Sequence, residues 1–233
     1  MRADTAVLIL SYGRYDRVHT YLTLRRQGYT GRIYIVCSTD DPTIPKYKEH
    51  FGEENVLVFD KEDYVGKFDI GDNFTRKNVV VYARNAAWDI AKKAGLRYFI
   101  ELDDDYTNFF LREPKGDVLK SHRPNNLDVI FDAFIEFLEN TPRVSSIAMA
   151  QGGDYIGGVD NDIFTSLNRK RKLMNVYFNA TDRPYPFFGR INEDTNTYVH
   201  LGKTGTLFLT HPSAHITQLM TQSNGGGADR VLS

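Results

Sequence analysis

The stretch "YFIELDDDYTNFF", residues 98–110, carries a strand-like apolar run straight into three consecutive aspartates, Asp103, Asp104 and Asp105, and then returns to aromatic residues. Three adjacent carboxylates repel one another, so water must solvate them or a cation must neutralise them. Side chains alternate along an extended chain, which puts Asp103 and Asp105 on one face and Asp104 on the other. The Asp-x-Asp spacing supplies the hard oxygen ligands that magnesium or manganese takes, commonly bridging one or two carboxylates to substrate phosphates. A solvated acidic loop, or a helix cap before Tyr106, is the plain alternative.

The surrounding pattern favours a site. "TAVLIL", residues 5–10, is a continuous apolar run of strand length that stops at Ser11-Tyr12-Gly13, as a strand buried on both faces would. A helix follows from about Asp16 to Gln27, with Asp16 as its cap and Gly28 just past its end. "RIYIVCS" and "NVLVFD" read as the next strands, separated by the polar "TDDPTIPKYKEHFGEE". In "NVVVYARNAAWDIAKKAG", Val79, Tyr82, Ala83, Ala86, Ala87 and Ile90 recur at helical spacing, with Arg84 and Asn85 on other sides and Gly95 closing the helix. "RYFIEL" then delivers the aspartates at its carboxyl end, and the helix "NNLDVIFDAFIEFLEN" leads to the strand "VSSIAMA" at 144–150.

This alternation predicts an α/β fold with a Rossmann-like, mostly parallel sheet flanked by helices. Ligands of such sheets gather at the carboxyl ends of the strands, where Ser11–Arg14, Ser38–Asp41 and Asp103–Asp105 all fall. From about residue 151 the texture changes to glycine pairs, asparagines and short aromatic runs, which reads as short strands and loops folded over that edge. The expected organisation is one domain, with a nucleotide-binding half (1–150) and an acceptor-side half (151–233).

Bulk properties narrow the field. The chain has 233 residues and a formal charge of -1, so no global excess of cations argues for nucleic acid or membrane. Cys37 is the sole cysteine, which excludes an intramolecular disulfide and fits a buried structural thiol. No apolar run is long enough for a signal peptide or a membrane span, and the expectation is a soluble, cytoplasmic protein. Neither a Gly-x-Gly-x-x-Gly fingerprint nor a phosphate-binding Gly-Lys-Ser/Thr loop is present, which disfavours dinucleotide oxidoreductases and P-loop nucleotidases. A metal-bridged diphosphate fits better, and sugar nucleotides are diphosphates whose departure builds charge that a cation stabilises.

Other candidates are less specific. Arg84 either orders a carboxylate, meets a phosphate bidentately, or sits exposed on a helix. Glu193 and Asp194, in "GRINEDTN", offer a carboxylate base for an acceptor hydroxyl, or merely begin a helix. His211 follows the strand-like "TLFLT" and is a candidate third metal ligand or base, ahead of His200 and His215. Between Arg169 and Arg190, six cations interleave with Tyr177, Phe178, Tyr185, Phe187 and Phe188, a texture suited to a nucleic-acid strand or to a solubilising turn.

Taken in order, "LILSYGR", "VVVYARNAAWDIAKKAGLRYFIELDDDYTNF", "AMAQGGDYIGG", "MNVYF", "FFGRINEDTNTYV" and "GTLFLT…TQSNGG" resemble the TET-associated glycosyltransferases over nearly the whole chain. The resemblance implies a GT-A-fold transferase that moves sugar from a nucleotide diphosphosugar, of the UDP type, to 5-hydroxymethylpyrimidines in DNA, with Mn2+ or Mg2+ as cofactor. It implies a metal motif at Asp103–Asp105 and an acceptor-side acidic motif at Glu193 and Asp194. It places Ser11, Tyr12, Arg14, Arg84, Asn85, Asp103 and Asp104 near the donor nucleotide. The family pattern continues past "TQ…NGG" with a tyrosine- and serine-rich strand, whereas this chain ends in "GGADRVLS", so a shortened C-terminus is expected.

Overall fold

β1 (Thr5–Leu10) is buried at every position, because it lies between two parallel neighbours and is covered on both faces. Those neighbours are β2 (Arg32–Ser38) and β4 (Tyr98–Asp103), and β3 (Val56–Phe59) adds a parallel edge beyond β2. The computed structural model describes residues 1–72, 77–151 and 173–219. The other described strands are β5 (Tyr106–Lys115), β6 (Val118–His122), β7 (Val144–Gln151), β8 (Asn175–Ala180) and β9 (Leu207–Gln218). Together they form one sheet in the order β3-β2-β1-β4-β8-β7-β9-β5-β6.

The sheet is parallel through β4 and mixed beyond it. β8 enters antiparallel between β4 and β7, and β9 pairs parallel with β7 and antiparallel with β5. The chain after residue 151 therefore contributes strands to the body of the sheet, where the sequence suggested short strands and loops folded over its edge. Its signal is masked in sequence because "NVYFNA" is short, yet every position of β8 is buried.

Helices α1 (His19–Arg26), α2 (Ile44–Phe51) and α4 (Leu127–Asn140) cover one face, and α3 (Val81–Lys93) covers the other. Phe131 and Ile135 of α4 join Ile100, Ile147 and Phe178 in the first core. Ala86, Ala87, Trp88 and Ile90 of α3 join Leu8, Leu10, Phe99 and Tyr177 in the second. Small alanines on α3 let it sit close to the sheet, and each large side chain fully buried contributes roughly 1.5–3 kcal/mol. α1 begins three residues later than expected. Asp16 pairs with Arg17 at 3.4 Å, and Val18 at the N-cap makes no side-chain cap bond. α5 (Glu193–Lys203) starts at Asn192, which adopts a left-handed conformation with φ of 55°.

Two elements arise without a clear signal in the residues, α2 and the β5–β6 hairpin. α2 places Tyr47 in the core. Asp104 and Asp105 form the turn from β4 into β5, but those strands do not pair: β5 crosses to the far end of the sheet.

Gly28 ends α1 with φ of +82°, and a Cβ there would lie 2.2 Å from the backbone oxygen of Asn125. Gly95 closes α3 with φ of +66° and open space around it. Gly28→Ala should therefore cost ~2 kcal/mol or more, and Gly95→Ala ~1 kcal/mol from backbone strain alone. Thermal melts check the order. Equal losses would show that the Gly28–Asn125 approach is not rigid.

Candidate active site

Arg84 is the residue around which the carboxyl end of β4 is organised. It stands one turn into α3, 4 % exposed, with its guanidinium between the rings of Tyr177 (5.0 Å) and Phe187 (5.7 Å). Its Nη1 donates to Glu101 Oε1 at 2.9 Å, its Nη2 to Asp103 Oδ1 at 3.0 Å, and its Nε to Glu193 Oε1 at 2.8 Å. Glu101 and Asp103 belong to β4, where alternation puts both on the α3 side. Glu193 is the first residue of α5. One guanidinium thus ties the aspartate strand to the start of α5.

Burial alone would lower the pKa of Arg84, but Asp103, Tyr177, Glu193 and Glu101 outweigh it and raise the pKa, so the group stays charged. The acids outnumber it. Burial pushes the Glu101 carboxyl up to about 7 against the pull of Arg84. Its second oxygen, Oε2, is buried with no hydrogen-bond partner among the described residues.

Asp104 faces away from this cluster, toward the first loop. It accepts from Ser11 Oγ at 2.7 Å and from Arg14 Nη1 at 2.9 Å. Tyr47 of α2 holds the same loop, since its hydroxyl meets Ser11 Oγ at 2.6 Å and accepts from the Arg14 N–H at 2.8 Å. Asp41, buried after β2, accepts from the Gly13 N–H at 2.7 Å. Tyr12 is 39 % exposed, donates to the Asp40 carbonyl at 3.2 Å, and has the Lys61 ammonium 4.9 Å from its ring centre. Burial raises the pKa of Asp104 while Arg14 and Ser11 pull it back.

Asp105 makes no ion pair with a described residue, and burial followed by repulsion from Asp103 and Asp104 lifts its carboxyl to about 7. Asp194 sits beside Glu193 with its Oδ1 accepting from the Thr195 N–H at 2.6 Å; burial, then Glu193, raises its pKa. Asp103 interacts electrostatically with both Asp105 and Asp194, and the carboxyl groups around the end of β4 outnumber Arg14 and Arg84. Asp103, with both carboxylate oxygens on Arg84 Nη2 at 3.0 and 3.2 Å, and Asp105 carry oxygen donors of the kind that a hard divalent cation takes. Among the described residues no three His, Cys, Asp or Glu side chains form a ready-made cage, so phosphate oxygens and water would complete such an ion's shell.

Several expected site residues do other work. All three nitrogens of Arg84 donate to carboxylates. Asn85 accepts from the Phe187 N–H at 3.0 Å and donates to the Phe187 carbonyl at 3.1 Å and to the Val81 carbonyl at 2.8 Å, which fixes the chain at Phe187. His211 lies on β9, three strands from β4 or about 14 Å across the sheet, with its ring 5.5 Å from Phe134. The structure does not bring it to the aspartates, and burial lowers its pKa. His200 meets the edge of Phe188, and His215 stacks on Phe110.

In the basic aromatic segment, Tyr177, Phe178, Tyr185 and Phe187 are core residues. Arg183 donates to the carbonyls of Thr141, Val144 and Leu138, and Arg190 pairs with Asp72 at 2.6 Å. Residues 169–172, "QGGDYIGG" after Gln151, and the C-terminal "TQSNGG" block lie outside the described residues.

The fold is similar to that of solved nucleotide-diphospho-sugar transferases. A mannosyltransferase from Pyrobaculum calidifontis, solved in complex with GDP-Man and Mn2+, superposes with a TM-score of 0.53 at 12% identity, covering 99% of this chain and 61% of that one. A protein from Desulfovibrio desulfuricans G20 named for nucleotide-diphospho-sugar transfer gives 0.50 at 9% identity, covering 93% and 83%. S. aureus TarS gives 0.50 at 14% identity, covering 91% and 36%. At these identities the likeness is one of fold. No curated protein matches the chain in sequence. The TET-associated glycosyltransferase family model matches residues 5–227, and the chain belongs to that family. It is a glycosyltransferase.

A carboxyl raised above its unfolded value keeps a proton that the unfolded chain has already released between those two values, so stability falls as pH rises through that window. For Glu101 and Asp105 the window runs from the ordinary carboxylate range to about 7. In the absence of divalent ions, the melting temperature should drop between pH 5.5 and 8. Glu101→Gln keeps an acceptor for Arg84 but removes one titration, so its curve should be flatter. A wild-type melting temperature that climbs over this range would contradict the assigned charge surplus.

Proposed function

We propose that this glycosyltransferase moves a sugar from a nucleotide diphosphosugar, a UDP-sugar, to the hydroxyl of a 5-hydroxymethylpyrimidine in DNA, with Mn2+ or Mg2+ on Asp103 and Asp105. The observation that carries the reading is the pairing of two acidic motifs across Arg84, Asp103–Asp105 at the end of β4 and Glu193–Asp194 at the start of α5. The family supports the acceptor, and the unneutralised carboxylates support the cation.

A bound divalent ion would act as a Lewis acid on the departing diphosphate. Asp103 and Asp105 would present the oxygens that hold it. Arg14, tethered through Asp104, sets a second positive charge beside the diphosphate, and Tyr12 offers its exposed ring to the nucleoside. Ser11, Tyr47 and Asp41 keep that loop in place. Arg84 acts on its neighbours and not on substrate: it fixes Asp103 and Glu193 so that donor and acceptor meet at a set distance. Asp194, with its pKa raised, accepts the proton of the acceptor hydroxyl more readily than an ordinary aspartate would. No described helix is long and apolar enough to cross a membrane, and a DNA acceptor places the reaction in the cytoplasm, that of the infected host for a phage-encoded enzyme.

The test is a panel of UDP- and GDP-sugars with Mn2+, Mg2+ or EDTA, offered hydroxymethylated or plain duplex DNA, with nucleosides analysed by mass. Transfer should require a UDP-sugar, a divalent ion and the hydroxymethyl group. Asp103→Asn and Asp105→Asn should each lower kcat at least ~100-fold. Transfer to a saccharide or protein and not to modified DNA would remove the acceptor, and full activity in EDTA would remove the metal.

A further inference from the structure

The β5–β6 hairpin is larger than the sheet needs. β9 pairs with β5 from Tyr106 to Leu111, and beyond that point Arg112–Lys115 pairs with β6 alone. Among the described residues the hairpin is therefore a two-stranded ribbon standing off the sheet edge, with Lys115, Gly116, Asp117, Val118 and Lys120 all exposed. It is rooted at the site, because Tyr106 directly follows Asp105. From there to the tip β5 runs 10 residues, about 30 Å at ~3.3 Å per residue.

The ribbon's charge is opposite to that of the edge it grows from. Between 112 and 123, Arg112, Lys115, Lys120 and Arg123 stand against Glu113 and Asp117, in a chain whose formal charge is -1. Lys115, Lys120 and Arg123 form no salt bridge with a described residue, and Arg123 lies over the Phe110 ring at 5.7 Å. The segment that the sequence offered for nucleic acid has its aromatic residues in the core and its described arginines engaged. A twisted two-stranded ribbon is one of the elements that a DNA major groove admits, and exposed lysines and arginines match phosphates.

We propose that the β5–β6 ribbon is a DNA-gripping arm, with Lys115, Lys120 and Arg123 on backbone phosphates up to about one helical turn from the base being modified. The proposal rests on the reading of DNA as acceptor. The contacts are to phosphates, so they raise affinity without sequence preference. Lysines on an edge strand also serve simply to prevent strand-to-strand aggregation, and the experiment separates the two roles.

Wild type and the Lys115→Glu/Lys120→Glu/Arg123→Glu variant would be compared for binding to a duplex of about 40 base pairs across a salt series. Both would also be assayed for transfer to that duplex, hydroxymethylated, and to a modified oligonucleotide of about six nucleotides. The three positions are exposed, so the melting temperature should not change. The arm predicts about tenfold or greater weakening of duplex binding at low salt, a salt slope smaller by about 2 to 3, a raised KM for the long duplex, and an unchanged KM for the short oligonucleotide. If wild type binds duplex through these residues yet transfers no sugar to it, the arm stands and the acceptor reading fails. If transfer occurs but the variant matches wild type in binding and KM, the arm is overturned and the acceptor reading stands. If wild type does not bind DNA, both fall.

Discussion

A single buried guanidinium, that of Arg84, decides how the two acidic motifs of this protein face one another. Its three nitrogens reach Glu101, Asp103 and Glu193, acids drawn from a central strand and from a helix about ninety residues further along the chain. Removing these four groups from water is costly, and the interaction holds only because the geometry is close and the rings of Tyr177 and Phe187 flank the cation. The arrangement makes poor sense as a stability device. A buried ion pair replaced by apolar side chains is commonly no less stable. It makes better sense as a spacer that fixes where Asp103 and Glu193 stand.

The other side of the aspartate turn is built from a different network with the same logic. Ser11, Arg14, Tyr47 and Asp104 share one set of hydrogen bonds, and Asp41 holds the Gly13 amide. The loops after β1 and β2 are thus tied to the aspartate turn. The sheet supplies this convergence: β1, β2 and β4 are parallel and in register, so Leu10, Val36 and Asp103 lie side by side at one edge. The surplus of carboxylates over arginines at that edge is what a divalent cation would neutralise.

Much of this was legible in the sequence, and the reasons are physical. β1, β2 and β4 are buried on both faces, so their apolar runs are continuous, and α3 announces itself by alanines at helical spacing. The aspartates were conspicuous because a buried strand delivered them. Glu101 was not, since one acid inside "YFIEL" looks like a strand's solvent face; only the fold reveals that both faces are covered. Arg84 could be read either as a phosphate ligand or as a carboxylate clamp, and the choice depends on Glu193, which sequence distance hides. The interleaved aromatics of 177–188 imitate a nucleic-acid platform because core strands and stacking surfaces draw on the same residue types. The β5–β6 ribbon escaped notice because both its faces are wet, so "LREPKGDVLKSH" has no hydrophobic alternation to betray a strand.

A crystal structure with Mn2+ and a uridine diphosphate, using the anomalous signal of the metal, tests the central claim most directly. The account predicts an ion about 2.1 Å from carboxylate oxygens of Asp103 or Asp105 and from the diphosphate, with Arg84 still bound to Glu101 and Glu193. A metal seated elsewhere, or an Arg84 side chain that leaves the acids to bind the diphosphate itself, would contradict it.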